Sequence, residues 1–258
     1  MKRIRLIPIL SIIGNKLVKT VKFKNPNYLG DPVNAIKVFN DKEVDEIAIT
    51  DIRASKENSS INFELIKEMA SECFMPMAYG GGIKKLDEIK MLFSIGVEKV
   101  IVNSSIEDNY QLITEAASIY GNQSIVASLD IRKNIFGHYV STKSSNSIKR
   151  KIPFMTHIKN LEHAGIGELL INNIDRDGTF NGIDLSLTKL ICDSVSVPVI
   201  SAGGLNSIDN IVDCINIGNA SAVGGGAFFS YTNKNVNSIL INYPGQNVLK
   251  EMVYKKII

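Results

Sequence analysis

Short apolar runs recur along this chain, and between them apolar positions return every three or four residues. A continuous apolar run suits a strand buried on both faces, whereas a three-to-four spacing lines one face of a helix. The runs predict strands at 4–10, 45–51, 74–79, 98–103, 124–130, 167–173, 197–202 and 220–225. Helical spacing fills the gaps, as in "SSINFELIKEMASE", "KKLDEIKMLFSIG", "PFMTHIKNLEHAG" and "SIDNIVDCINIG". In "GDPVNAIKVFNDKE" Asp31 is placed to cap a helix, with Pro32 at its first position. A last helical stretch is expected within 233–253, its ends blurred by Pro244-Gly245. Eight strands alternating with helices read as an α/β protein, a single (β/α)8 TIM barrel over 1–258.

An internal repeat bears on how the barrel is built. "GGIKKLDEIKMLFSIG" (81–96) aligns with "GGLNSIDNIVDCINIG" (203–218), Gly81 on Gly203, Asp87 on Asp209 and Gly96 on Gly218. At the same offset "EIAITDI" (46–52) falls on "ELLINNI" (168–174). Two blocks in one register predict two half-barrels, roughly 1–120 and 121–258. Segments 12–30 and 131–152 break the alternation; both are polar and lysine-rich, and both are expected to be long βα loops acting as lids on one face.

Composition narrows the function. With 45% hydrophobic residues the chain can bury a sizeable core, and a net charge of +3 points to neither nucleic acid nor a membrane. The 3 cysteines have no paired spacing and the 3 histidines form no metal pattern, so no disulfide, metal or cofactor is expected and a reducing cytoplasm is predicted. No apolar stretch approaches the ~18–20 residues of a membrane span, and no signal peptide is evident at the start of the chain.

In such a barrel, residues just past the strand C-termini line the active site. Small-residue ends occur there as "YGGGI", "VNSSI", "SAGGL" and "VGGGAF". Glycine admits a ligand close to the backbone, and N–H groups at a following helix start suit phosphate. One pair of such ends on each rim fits a long substrate with a phosphate at both ends. Carboxylates sit at matching depth: Asp51, Asp130, and Asp175 and Asp177 in "NNIDRDGTFNG". They can act as general acid or base, although Asp177-Gly178 also reads as an ordinary loop turn. At the opposite ends of the strands Arg5, Glu46, Lys99 and Glu168 precede apolar runs. Pointing inward, two cations and two anions would close the barrel floor and supply one another's partners.

Together "RLIPIL", "GDPV", "GGGI", "EKVIVNSS", "SLD", "IDRDGT" and "SAGG" make the chain resemble, over essentially its whole length, the cyclase subunit (HisF family) of imidazole glycerol phosphate synthase. The resemblance implies a barrel that docks by its N-terminal face onto a glutaminase as a heterodimer. Ammonia would then cross the barrel to a two-phosphate phosphoribulosyl substrate at the other face. It implies an ammonia gate of Arg5, Glu46, Lys99 and Glu168, and phosphate contacts at Gly82, Asn103 and Ser104 on one side. On the other side it implies contacts at Asp177, Gly178, Gly204, Gly226 and Ala227, where Ala227 replaces a hydroxyl residue. Lys19 matches a lysine of the first loop, Asp51 lies beside the substrate, and Asn172 stands where the family has threonine. The family's two catalytic aspartates end strands 1 and 5; the second corresponds to Asp130, and Ser11 takes the place of the first.

Two readings follow. In one the chain is a working cyclase, with Asp130 dominant and Asp51, water or Ser11 assisting. In the other it chiefly supplies ammonia to a separate sugar amidotransferase that makes an acetamidino group on a surface-polysaccharide sugar. A sugar-phosphate isomerase of the related two-phosphate barrel type fits less well, because it too needs both aspartates.

Overall fold

The apolar runs pair in one unbroken parallel order. The computed structural model describes residues 4–103, 110–143, 148–149, 152–232 and 239–257. Its strands are β1 (Arg5–Ile13), β2 (Lys16–Val21), β3 (Lys24–Gly30), β4 (Ile47–Asp51), β5 (Met77–Gly80), β6 (Lys99–Val102), β7 (Ile125–Lys133), β8 (Tyr139–Lys143), β9 (Ile148–Lys149), β10 (Glu168–Asn173), β11 (Val199–Ala202) and β12 (Ala222–Gly225). Eight of them follow the order β1-β4-β5-β6-β7-β10-β11-β12, and β12 pairs with β1 to close a parallel barrel. The helices α1 (Pro32–Asp41), α2 (Ala54–Glu57), α3 (Phe63–Glu72), α4 (Leu86–Ser94), α5 (Gln111–Tyr120), α6 (Phe154–Ala164), α7 (Leu185–Cys192), α8 (Ile208–Asn216) and α9 (Ala227–Ser230) lie between or after the strands. This is a (β/α)8 TIM barrel.

The two lysine-rich segments expected as loops are β-hairpins. β2 runs antiparallel to β1 and carries β3; β8 runs antiparallel to β7 and carries β9. Both β1 and β7 therefore continue past the barrel and fold back at its C-terminal face. The last helical stretch is short: α10 (Gln246–Val248) leads into a π-helical turn at Leu249–Tyr254, pinned by buried Leu249, Val253 and Tyr254.

Local chemistry sets the helix starts. Asp31 accepts from Asn34 N–H at 2.9 Å ahead of Pro32, Ser207 Oγ accepts from Asn210 N–H at 3.1 Å, and Glu88 accepts from Lys85 N–H at 2.9 Å. Each satisfies an amide that a helix leaves open at its first turn. Two separate cores result. The outer one, between strands and helices, includes Ile36, Phe39, Met69 and Leu92. The inner one takes Ile7, Ala48, Ala78, Ile101, Val126, Leu170, Ile200 and Ala222, one from each barrel strand.

The loop before β11 is tied to α6 by Glu162, which accepts from Ser196 N–H at 2.5 Å and Ser196 Oγ at 2.7 Å, with Lys159 Nζ at 3.1 Å. Those Ser196 bonds, more than the lysine, pull the Glu162 carboxyl down from 4.5 to about 2. A depressed carboxylate stabilises the fold above its unfolded value and loses that contribution as pH falls through its folded value. Glu162→Gln is therefore expected to lower stability at pH 6 and to matter little near pH 2. Urea unfolding of both proteins at the two pH values measures this; an equal gap at both would reject the assignment.

None of the described helices is long and apolar enough to cross a membrane. Cys73, Cys192 and Cys214 are free thiols, and the described residues contain no cluster of His, Cys, Asp and Glu able to hold a metal.

Candidate active site at the barrel mouth

The strand C-termini surround a cavity of about 310 Å³. Ser11, Lys19, Asp51, Gly82, Asn103, Asp130, Asn172, Asp177 and Gly226 all line it. A small recess beside it adds Gly178, Gly204 and Ala227 and shares Asp177 and Gly226. Ser104 lies outside the described residues. The chain thus brings together, at one end of the barrel, nearly every residue the sequence marks for substrate.

Asp130 is 7% exposed, near the C-terminal end of β7. Asn103 Nδ2 donates to its Oδ2 at 2.9 Å, which fixes the carboxylate's direction. Register places Asp130 beside Asn172 of β10, and Ser11 beside Thr50 of β4. Asp51 works partly as a turn-maker: its Oδ1 accepts from Arg53 N–H at 3.0 Å and Ala54 N–H at 3.1 Å, starting α2. Asp175 is exposed and accepts from Lys133 N–H at 2.9 Å, a loop contact away from the cavity lining.

The first hairpin reaches over the mouth. Lys19 is buried, and its Nζ donates to Asp177 Oδ1 at 3.0 Å, Asp177 Oδ2 at 2.8 Å and Thr20 O at 2.8 Å. Lys22 N–H donates to Asp177 O at 2.9 Å. Gly178 follows with φ +73, and a Cβ there would stand 2.6 Å from Thr20 O. Glycine is needed both for the left-handed backbone and for the approach of the hairpin. Gly178→Ala is expected to cost about 1–2 kcal/mol from backbone conformation alone, and more from the contact. Denaturant unfolding would show it, and a neutral result would mean that the hairpin simply moves away. Gly226 makes a similar allowance, since a Cβ there would lie 2.9 Å from Lys19 Cε.

Some lining residues were given no role by the sequence. Arg53, Ser55 and Lys56 of the α2 turn face the cavity near Gly82, and Thr50 and Ser128 line its wall. Ser128 could have been found by alternation, since residues two apart on a strand share a face. The α2 cations could not, because a four-residue helix leaves no periodic trace.

At the other end of the barrel the four charged residues form a closed ring. Arg5 Nη1 donates to Glu46 Oε2 at 2.6 Å, and the guanidinium also bonds both Glu168 oxygens. Lys99 Nζ donates to Glu46 Oε1 at 2.8 Å and to Glu168 Oε2 at 3.1 Å. Both carboxylates are buried, while the Arg5 and Lys99 side chains stay 31% and 20% exposed toward the floor. Burial disfavours the Arg5 charge, but the bonds and charges of Glu168 and then Glu46 outweigh it and hold the guanidinium above its ordinary value. Between this ring and the mouth cavity lies the inner apolar layer, four of whose members are the alanines Ala48, Ala78, Ala202 and Ala222.

A parallel barrel with an ion-closed floor and a polar mouth cavity belongs to the enzyme-type (β/α)8 proteins, which place chemistry at the strand C-termini. The family model "Histidine biosynthesis protein" matches residues 5–234. A Pseudomonas aeruginosa protein described as "Putative imidazole glycerol phosphate synthase subunit hisF2" is 45% identical over 96% of this chain and 99% of its own length. A Vibrio vulnificus relative described in the same words as subunit hisF3 is 37% identical over 97% of this chain and 96% of its own. A Leptospira borgpetersenii relative, likewise described as subunit HisF, is 40% identical over 95% and 96%. The chain belongs to the histidine biosynthesis protein family, and within it is similar along nearly its whole length to HisF-type proteins.

Proposed function

We propose that this barrel is the ammonia-conducting subunit of a glutamine amidotransferase complex, with a glutaminase seated on its N-terminal face. The observation that carries this reading is the intact ring of Arg5, Glu46, Lys99 and Glu168 beneath a mouth in which Ser11 stands opposite Asp130. Ammonia is small and neutral, so an apolar layer rich in alanine can pass it while excluding ions. At the mouth, the paired glycine ends with Arg53 and Lys56 support binding of a phosphorylated ligand, while Lys19 reaches the same cavity already paired with Asp177. Cyclisation of a phosphoribulosyl substrate calls for two groups that exchange protons near neutral pH. Asp130 is one; the Ser11 hydroxyl is far too weak an acid to be the other, and losing such a group costs ~10²–10⁴-fold. The ammonia then serves a separate acceptor, a sugar amidotransferase forming an acetamidino sugar of a surface polysaccharide.

The test is to supply the purified chain with the phosphoribulosyl substrate and ammonium. Formation of imidazole glycerol phosphate is expected to be slow. Rapid turnover would reject the conduit and establish the second reading, a fully active cyclase of histidine biosynthesis, which the oriented Asp130–Asn103 pair favours.

A further inference from the structure

The mouth cavity is lopsided. Most of its wall comes from the ends of β1, β4, β5 and β6, while the β10–β12 side gives it Leu170, Asn172, Asp177, Ala202, Gly203 and Gly226. On that side the remaining space is the separate recess, about 10 Å³, room for a single water at most. A phosphate group needs several times as much.

Apolar packing takes up the recess. Phe180, Ala227 and Tyr231 are buried in one cluster, with Leu29 of β3 and Phe228 packed against it. Phe180 holds φ 55, a left-handed backbone that a bulky residue keeps only when its surroundings fix it. Leu29 brings the first hairpin into the cluster, and Lys19 and Lys22 tie the same hairpin to Asp177. Lys19 takes both carboxylate oxygens of Asp177, so this cation is already neutralised.

The opposite rim is built the other way. Arg53 and Lys56 lie three residues apart on one face of the α2 turn, and both line the cavity with Gly81 and Gly82. A Cβ on Gly82 would stand 3.1 Å from Ala54 Cβ, so the glycine turn and the α2 turn abut. Arg53 meets Glu57 at 3.3 Å with both side chains about half exposed, a pair that an entering phosphate displaces at little cost. Asp51, the carboxylate on this rim, spends its Oδ1 on the amides of Arg53 and Ala54. Bare glycine backbone and two cations suit a phosphate, and a guanidinium can take two of its oxygens together. Between the rims, Thr50, Ser128 and Asn172 line the wall with hydroxyl and amide groups suited to a sugar.

We propose that the mouth takes a sugar phosphate with phosphate at one end only, held by Arg53 and Lys56 over Gly81 and Gly82, and that Phe180 under the first hairpin plugs the other end. Specificity is then set by attraction at Arg53 and Lys56 and by exclusion at Phe180. The proposal rests on the phosphorylated ligand of the reading above and names its class.

Isothermal titration calorimetry of the purified chain tests it. The probes are the two-phosphate phosphoribulosyl compound and the two forms of it that lack one phosphate. At least one single-phosphate form is expected to bind within about threefold of the two-phosphate compound, because the second phosphate finds no seat. In the Arg53→Ala, Lys56→Ala variant, binding of every form is expected to weaken about tenfold or more through lost charge-assisted contacts. Both positions are exposed, so an unchanged melting temperature is expected to show that this variant is folded. Phe180→Gly suits the left-handed backbone and empties the recess. In that variant the two-phosphate compound is expected to bind about tenfold tighter than either single-phosphate form. The same preference of about tenfold in the native chain would overturn the proposal; without turnover the conduit stands, and with rapid turnover it falls too. Unweakened binding in Arg53→Ala, Lys56→Ala would overturn the cationic end, and a Phe180→Gly chain that gains no preference would overturn the plug.

Discussion

Ser11→Asp is expected to raise the rate of imidazole glycerol phosphate formation from ammonium by roughly 10²–10⁴-fold, the range a positioned general acid or base contributes. The substitution restores a carboxylate to a β1 position that lines the same cavity as Asp130. Room exists for it: Ser11 is only partly buried, and the flanking strands supply Thr50 on one side and Val18 on the other. Lys19 lines the same cavity with its ammonium already paired to Asp177, so the new carboxylate enters a polar wall without a free lysine to neutralise it. Glutamine hydrolysis by the partner should not change, since the substitution lies at the opposite end of the barrel from the ring. A rate that stays at background would show that the mouth has diverged beyond its missing acid, and the chain would then be a conduit by its whole architecture rather than by one residue.

Breaking the floor ring carries the second large effect. Glu168→Gln leaves Arg5 and Lys99 to share Glu46 alone. Removing one partner of a buried ion pair costs about 3–5 kcal/mol; with the cations partly exposed, about 3 kcal/mol is expected. At ~2 °C per kcal/mol for a chain of this size, the melting temperature should fall by roughly 6 °C. Lys99→Met addresses function more directly. It removes one of the two cations that each bridge both carboxylates, and with it half of the positive charge of the proposed gate. The fraction of glutamine nitrogen reaching product is expected to fall, while use of added ammonium stays unchanged. Unaltered coupling in Lys99→Met would remove the gate role and leave the ring as a structural plug.

Much of the architecture was readable from residues alone. All eight barrel strands fall on the apolar runs, because a strand covered by helices outside and side chains inside has no polar face to disguise it. Asp31 and Pro32 open α1 as their chemistry requires. The floor charges were readable for a different reason: a charge at the start of an apolar run has few places to go except inward, toward partners. The hairpins were not readable. β2 and β3 meet through a turn in which Lys22 and Phe23, with Asn25 just beyond it, hold φ of 52, 60 and 49, a left-handed backbone that non-glycine residues rarely announce. Their pairing with β1 also depends on β1 running on past the barrel, and an apolar run does not show where it stops pairing.

The sequence by itself determined the barrel, its strand count and the kinds of residue at each end of it, since these depend on hydrophobic period and local capping. Only the tertiary structure decided that Lys19 is spent on Asp177, that Asp175 faces away from the cavity, and that Ile135 and Phe136 stand bare above the mouth. Those outcomes rest on contacts between segments far apart in the chain, and one chain's composition and spacing do not encode which distant partner a side chain meets.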